Sequence, residues 1–306
     1  MNHYWSLEEV ALPDSWLTIG SFDGIHRGHQ VIIHRLVENA HKANLPAVTL
    51  TFFPHPSIVL RNRKEPFYLT TPEERAALLG SLGVDVVITH PFTKELANKS
   101  ALEFMSSVRR YLHPSHILVG YDFALGRGRE GDVQKLKELG DRLGYHLDVI
   151  QPIQMAGETI SSSQIRTALL EGNIRKVNQL LGRPYRLSGE VVIGDGRGRK
   201  LGIPTANLAI WFWKALPKAG VYACEAIVDG ETWPAVVNIG VRPTFESGPV
   251  QPRVEAHLID LDRDLYEKRL ELEFIKRLRD EQKFPDVEAL VTQIHVDIRK
   301  AKEFLA

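Results

Sequence analysis

The spacing of apolar residues changes once along this chain, at Leu181-Gly-Arg-Pro-Tyr185, and that change limits the fold more than any other feature. Before it, short apolar runs alternate with helical patterns. Leu17–Gly20, Ala47–Phe53, Val84–Thr89, Ile117–Tyr121 and His146–Ile150 are rich in Val, Ile, Leu and Phe, as buried strands are. Between the first two, Ile32, Ile33, Leu36, Val37 and Ala40 follow the period of an amphipathic helix, and Val133, Leu136, Leu139 and Leu143 repeat it. This alternation predicts a parallel sheet wrapped by helices. After the change the period is two. Tyr222, Cys224, Ala226 and Val228 alternate with Val221, Ala223, Glu225 and Ile227, and Val254, Ala256, Leu258 and Leu270, Leu272, Phe274 continue the pattern. Short strands bounded by Gly and Pro predict an antiparallel sandwich or barrel. A closing helix after Pro285-Asp286 lines up Val287, Leu290, Val291, Ile294, Ile298 and Ala301, and is expected to pack on that barrel. The expected class is α/β plus β, with domains at residues 1–183 and 184–306.

Composition permits two cores: the chain has 306 residues, 43% hydrophobic and 25% charged. Lys+Arg and Asp+Glu both number 38, and no long basic run supplies the footprint of non-specific nucleic-acid binding. A nucleic-acid partner is therefore not expected. The single Cys224 excludes an internal disulfide framework and a cysteine zinc site, and points to the reducing cytoplasm. The start, MNHYWSLEEVALPDSW, has no basic segment leading into an apolar one, and no run reaches the roughly 18 apolar residues of a membrane span. Neither an export signal nor a membrane partner is expected.

Gly20–His29 reads GSFDGIHRGH and falls between a predicted strand and a predicted helix, where open parallel sheets bind ligands. Glycine lets an anion approach the backbone, and a helix start aims free N–H groups and a positive dipole end at it. Histidine there donates hydrogen bonds to phosphate oxygens. The same residues also suit a turn chosen for steric reasons, with His26 packed in a core. A second helix start lies at Ile160-Ser-Ser-Ser-Gln-Ile-Arg166, where Ser163 can cap and Arg166 opposes the dipole unless an anion sits nearby. Its alternative is a plain serine cap with a solvated arginine. Gly189–Asn207 carries five glycines with Arg197, Arg199 and Lys200, which suits either a polyphosphate or a mobile hairpin loop. Thr205 and Asn207, two apart on an extended strand, can present hard oxygen ligands to Mg²⁺ on one side. Glu255, between Val254 and Ala256, reads by alternation as an outward-facing strand residue.

Gly20-x-Phe-Asp-Gly-Ile-His26-x-Gly-His29, Thr51-Phe-Phe-Pro-His-Pro56, Gly120-Tyr-Asp-Phe123 and Ser161–Arg166 together resemble the adenylyltransferase half of the bacterial bifunctional riboflavin kinase/FAD synthetase family. Gly189–Asn207, Gly220-Val-Tyr222, Asn238–Phe245 and Val254-Glu-Ala-His257 resemble its riboflavin kinase domain. The resemblance runs from about Trp16 to Ala306. It implies a Rossmann-like nucleotidyltransferase sheet followed by a riboflavin-kinase β-barrel with a terminal helix. It further implies two reactions: phosphorylation of riboflavin to FMN, and adenylylation of FMN to FAD with release of pyrophosphate, both from ATP with Mg²⁺. Transferred position by position, it makes His26, His29 and Arg166 the charge-stabilising residues of adenylyl transfer and Glu255 the general base of the kinase. Gly20, Phe22, Asp23, Gly28, Asp122, Ser161, Ser162, Ser163, Gly194, Arg199 and Gly202 become nucleotide contacts. Phe53, His55, Pro56, Asn238 and Arg242 become flavin contacts, and Thr205 and Asn207 hold Mg²⁺ with the ATP phosphates. Phe245 is a further candidate contact. The chain departs from the family pattern at Leu125, where an aromatic residue is usual, and at Trp211-Phe-Trp213, which is expected to plug the barrel rather than form a flap over a ligand. His3, His34, His41, His90, His113, His116 and His295 show no metal-ligand spacing.

Overall fold

Strands buried on both faces must lie inside a sheet covered on both sides, and the apolar runs of the first half do so. The computed structural model describes residues 1–152, 154–155, 157–194, 196, 198, 201–240 and 252–305. By their internal contacts these form two units, Met1–Ser162 and Ser163–Ala306. In the first, β1 (Asn2–Tyr4), β2 (Ser15–Ile19), β3 (Ala47–Phe53), β4 (Val86–Pro91), β5 (Pro114–Gly120) and β6 (His146–Ile150) pair in the order β1-β4-β3-β2-β5-β6. Every pairing is parallel. Helices α1 (Arg27–Lys42), α2 (Pro56–Arg61), α3 (Pro72–Ser81), α4 (Lys94–Ala97), α5 (Ala101–Leu112) and α6 (Val133–Leu143) connect them, and a short hairpin, β7 (Gln154–Met155) with β8 (Glu158–Thr159), follows. The expected face of α1 is the packed one, with Ile33, Leu36 and Ala40 buried. Helices α3 and α5 each open on a capping box, Thr71 with Glu74 and Ser100 with Glu103, which satisfies N–H groups left over at a helix start. The chain runs from β2 outward through β3 and β4, then returns to β5 on the other side of β2. The reversal makes the carboxyl ends of β2 and β5 a topological switch point, the crevice where such sheets bind ligands.

In the second unit, α7 (Ser162–Glu171) and α8 (Ile174–Leu181) precede β9 (Tyr185–Val192), β10 (Ala206–Ile210), β11 (Gly220–Val228), β12 (Glu231–Gly240), β13 (Arg253–Leu258) and β14 (Arg269–Arg279). The strands close an antiparallel barrel in the order β10-β13-β12-β11-β14-β9. One parity of the alternation fills it: Leu187, Tyr222, Cys224, Val237, Ala256, Leu272 and Phe274 are all buried. The other parity faces out. Helix α9 (Val287–Leu305) lies on that outer face, where Ile298, Ala301 and Leu305 pack with Val221, Ala223, Val236 and Ile259. This second cover explains why β11 is buried on both faces over Gly220–Cys224.

The unit division falls before the expected boundary at residues 183/184 because α8 is fastened to the barrel. Asn178 donates through its amide to the Phe274 carbonyl (2.8 Å) and accepts from the Tyr185 N–H (2.9 Å). The change of period at Leu181–Tyr185 thus marks a change of secondary structure: Gly182, at φ 74°, caps α8 before the barrel's first strand.

Candidate active sites

In the first unit the stretch Gly20–His29 leaves β2 at the switch point and turns into α1. A Cβ on Gly20 would stand 2.9 Å from the Phe22 ring, and one on Gly28 would press on the His26 ring at 3.2 Å. These glycines serve ring packing as much as ligand approach. Phe22 and Ile25 take left-handed backbone angles, φ 46° and 41°, which is strained for bulky residues and recurs at functional sites. The turn is held from below. The buried Asp23 carboxylate accepts from the N–H groups of Leu69 and Thr70 (both 3.1 Å) and the Thr70 hydroxyl (3.2 Å). The fully buried Arg75 guanidinium stands 3.9 Å from Asp23 and donates to Thr51 Oγ1 (3.0 Å), whose hydroxyl donates to the Ser21 carbonyl (3.0 Å). Asp23 and Phe22, expected as nucleotide contacts, are buried side chains that shape the turn from within.

His26 caps α1: its Nδ1 accepts from the His29 N–H at 3.3 Å, which leaves a neutral ring's proton on Nε2. The two imidazoles stack with centroids 3.6 Å apart. Burial, then the neighbouring His26 and Arg75, push the His29 imidazolium well below its usual 6.5, so the ring is neutral at pH 7. Its buried Nδ1 has no protein partner among the described residues. The pair thus offers hydrogen-bonding nitrogens rather than two fixed charges.

Phe53 ends β3, next to β2, and His55 and Pro56 follow it, so all three lie at the same edge of the sheet. His55 caps α2, accepting from Ser57 N–H at 3.1 Å, and its own N–H donates to the Tyr68 hydroxyl at 2.7 Å. Asp122 is exposed just past β5, and Arg129 donates to its carbonyl (2.9 Å). Leu125 is half-buried against the main core with Phe123, so the position is a packing position here. At the second helix start, α7 begins at Ser162, which corrects the expected cap: Ser163 lies inside the first turn, Ser161 precedes it, and the Ser162 hydroxyl donates to the Asp23 carbonyl at 2.9 Å. Arg166 stands one turn further along that helix, in the second unit.

In the second unit the site is a row of residues on neighbouring strands. Asn207 on β10 pairs with Glu255 on β13, Glu255 with Asn238 on β12, Asn238 with Val221 on β11, and Val221 with Arg279 on β14. All have outward parity. The alternation that makes Glu255 an ordinary outward residue is correct about its direction, but α9 stands off the wall and turns that face into a cavity. The cavity encloses about 450 Å³; Thr205, Asn207, Asn238, Glu255 and Arg279 line it together with Leu290 and Ile294 of α9. The helix accordingly packs by its C-terminal half and roofs a site with its N-terminal half, where Val287 is 57% exposed. Gly194 comes so close to the Asn207 amide that any side chain there would overlap it. His257 Nδ1 lies 2.8 Å from the Pro204 carbonyl and pins the strand entry beside Thr205. A smaller cavity of about 110 Å³, lined by Gly194, Pro204, Leu258, Arg263 and Tyr266, shares Gly196, Thr205 and Asn207 with the large one.

Gly202 is an exposed turn residue outside both cavities. Arg199 and Arg242, with Arg197, Lys200 and Phe245, lie outside the described residues. Trp211, Phe212 and Trp213 are half-buried and line neither cavity. Sequence reasoning missed Arg279 and Asp297. The Asp297 carboxylate, 1% exposed, takes Arg279 Nε (2.9 Å) and Nη2 (2.8 Å) side-on and accepts from the Gln293 amide (2.9 Å). A signal existed: Asp297 interrupts the apolar stripe Ile294, Ile298, Ala301, where an unpaired carboxylate would be costly.

Comparison with known proteins decides the family. An FAD synthetase family model matches residues 9–164 and a riboflavin kinase family model matches residues 181–305. The bifunctional riboflavin kinase/FMN adenylyltransferase of Pseudomonas fluorescens is 39% identical over 290 residues, covering 94% of this chain and 92% of that one. This chain belongs to the bifunctional riboflavin kinase/FMN adenylyltransferase family. The Escherichia coli K12 member is 38% identical with the same coverage. A solved structure described as a macrolide-efflux protein from Streptococcus pneumoniae shares the fold at a TM-score of 0.90 and 30% identity, covering 98% of both chains. No helix among the described residues is long and apolar enough to cross a membrane.

Proposed function

We propose that this family member phosphorylates riboflavin in the cavity on the outer wall of the barrel and adenylylates the resulting FMN at the carboxyl edge of the parallel sheet, drawing on ATP for both. The observation that carries the kinase half is the row Asn207–Glu255–Asn238, because it sets a carboxylate between two amides inside a cavity. Thr205 and Asn207 line both cavities, which suits the point where flavin and nucleotide meet. Among the described residues no three His, Cys, Asp or Glu side chains are grouped to hold a metal. Two hard oxygens from Thr205 and Asn207 fit an ion that arrives on the ATP phosphates, since Mg²⁺ usually keeps few protein ligands. Such an ion offsets phosphate charge as the phosphoryl group moves. Glu255 takes the proton of the terminal ribityl hydroxyl, the oxygen bonds to the γ-phosphorus, and ADP leaves. Asn238 orients the flavin; Gly194 and Gly202 shape the nucleotide loop, and on resemblance alone Arg199 and Arg242 join it.

For adenylyl transfer, an FMN phosphate oxygen attacks the α-phosphorus of ATP and pyrophosphate departs. His26 and His29 donate to phosphate oxygens beside the helix start, while Gly20, Gly28, Ser161, Ser162, Ser163 and Asp122 line the nucleotide's path. Arg166 neutralises the leaving end, and Phe53, His55 and Pro56 face the flavin. The functional division is placed at 1–183 and 184–306. A cytoplasmic location is proposed from the lone, buried Cys224 and the dependence on ATP. The test is to incubate the protein with riboflavin, ATP and Mg²⁺ and separate the flavins by chromatography. FMN followed by FAD is expected, and Glu255→Gln should stop FMN formation while supplied FMN still becomes FAD. A Glu255→Gln protein that phosphorylates riboflavin normally would refute the site.

A further inference from the structure

Resting on that reading of adenylyl transfer, we infer that Arg75 is a positioning residue for the reaction: its guanidinium fixes the turn that carries His26 and His29 against the strand end that carries Phe53, His55 and Pro56. Arg75 faces the core from α3, beside Ala76 and Leu79, and is fully buried. Among the described residues of the first unit, Asp23 and Arg75 are the only buried Asp, Glu, Lys or Arg side chains. Taking a guanidinium out of water costs several kcal/mol, and an apolar side chain would fasten α3 to the sheet as well or better. The pairing with Asp23, at 3.9 Å, is too loose to offset that cost by itself.

What a guanidinium adds is direction. Nη1 donates to Thr51 Oγ1 (3.0 Å) and, at 3.4 Å, to the Phe52 carbonyl, one residue before Phe53. The Thr51 hydroxyl passes the first contact on to the Ser21 carbonyl (3.0 Å), inside the nucleotide turn, and Nη2 faces Asp23 in the same turn. The segment leading into α3 makes a parallel bridge with neutral groups. The Tyr68 hydroxyl accepts from the His55 N–H (2.7 Å), Leu69 and Thr70 donate to Asp23 (both 3.1 Å), and the Thr70 hydroxyl accepts from the Gly24 N–H (3.2 Å). Residues 68–75 therefore touch the flavin side and the nucleotide side at once. Each substrate is gripped by groups on one side, so in-line attack depends on what joins the two sides. Arg75 also faces His29, where its charge adds to burial and to His26 in keeping that ring neutral.

The test is steady-state kinetics of adenylyl transfer on the full chain with Arg75→Lys, Thr51→Val and both together. Each preparation is also assayed for riboflavin phosphorylation and for thermal unfolding. Arg75→Lys keeps a charge beside Asp23 and loses the planar fork, whereas Thr51→Val keeps Arg75 and removes the link to Ser21. The kcat for FAD formation is expected to fall about 10²-fold in Arg75→Lys, the scale of a misplacement near 1 Å, and about tenfold in Thr51→Val, the loss of one hydrogen bond to a charged group. The KM values for ATP and FMN should change far less, because each side keeps its own contacts, and riboflavin phosphorylation should be unchanged. Adding Thr51→Val to Arg75→Lys should cost little more, since the two act along one chain of bonds. An Arg75→Lys protein that melts earlier yet keeps the parent's kcat while folded would make Arg75 a fastener of α3 and overturn the inference, as would a loss confined to the KM of one substrate. Should Arg75→Lys not fold, Thr51→Val decides, and the parent's kcat there would equally overturn it. Failure of the adenylyl-transfer reading itself shows separately, as FAD formation that survives His29→Ala.

Discussion

The two candidate sites are built in opposite ways. At the sheet, the candidate groups sit beyond the strand ends, on turns and helix starts, and the strands below are mostly apolar with buried threonines such as Thr18 and Thr51; strand parity has little influence on which residue reaches the ligand. At the barrel, the functional groups are strand residues, and parity decides everything: Ala256 fills the interior while its neighbour Glu255 faces the cavity. A site on turns must be held by buried polar fasteners such as Asp23 and Arg75. A site on a barrel wall is already held by the ladder and needs only a roof, which α9 provides.

This contrast is broken most directly by exchanging activities. His29→Ala is expected to lower FMN adenylylation by about 10²–10³-fold, the usual loss for one transition-state donor, with riboflavin phosphorylation unchanged. Glu255→Gln should lower riboflavin phosphorylation by about 10²–10⁴-fold and spare adenylylation of supplied FMN. Product chromatography checks both, and parallel loss of the two activities in a folded variant would mean the sites are not independent. Next in size, Gly194→Ala should displace the Asn207 amide and reduce kinase turnover by about 10²-fold, the scale of a misplacement near 1 Å. An unchanged kcat would show that the ladder does not fix Asn207.

The fasteners give the third expectation. Asp23→Ala removes the acceptor for Leu69 and Thr70 and the charge partner of the buried Arg75, and should destabilise the first unit by about 3–5 kcal/mol, as breaking a buried pair does. Denaturant unfolding followed by adenylylation and kinase activity should show the first lost before the second. A smaller effect concerns pH. His29 has a folded pKa below its unfolded value of 6.5, so the unfolded chain binds the proton more readily and stability falls as pH drops below about 6.5. His29→Gln should make that acid limb shallower in pH-dependent melting; an identical limb would mean His29 does not resist protonation. Smallest of all, Cys224 is buried and its thiol is pushed well above 9, so native protein should resist alkylation at neutral pH, as mass spectrometry would show.

How much was legible follows from the same contrast. Apolar runs and alternation report burial, so the sheet strands, the barrel parity and the outer placement of the last helix could be read directly. Strand limits moved by a few residues: β4 runs Val86–Pro91 where Val84–Thr89 was expected, since a buried run does not mark where pairing stops. The short capped helices α3 and α5 had readable signals in Thr71-Pro-Glu-Glu74 and Ser100-Ala-Leu-Glu103. The Asp23–Arg75 and Asp297–Arg279 pairs were not legible as pairs, because each joins elements that only folding brings together. Local patterns showed an outward Glu255, while the roof that makes that direction useful comes from a helix more than thirty residues further on.

The first strand carries no part of either site, yet it has a job. Asn2, His3 and Tyr4 pair with Val86, Val87 and Ile88, and the His3 ring reaches Thr89 Oγ1 at 2.9 Å. Without them the flank of β4 would present a row of unpaired N–H and C=O groups beside Val and Ile side chains, the kind of exposed margin along which sheets of separate molecules join. Three residues are thus enough to keep a sticky border closed, and a protein trimmed before Trp5 is expected to retain its chemistry and lose its tolerance of high concentration.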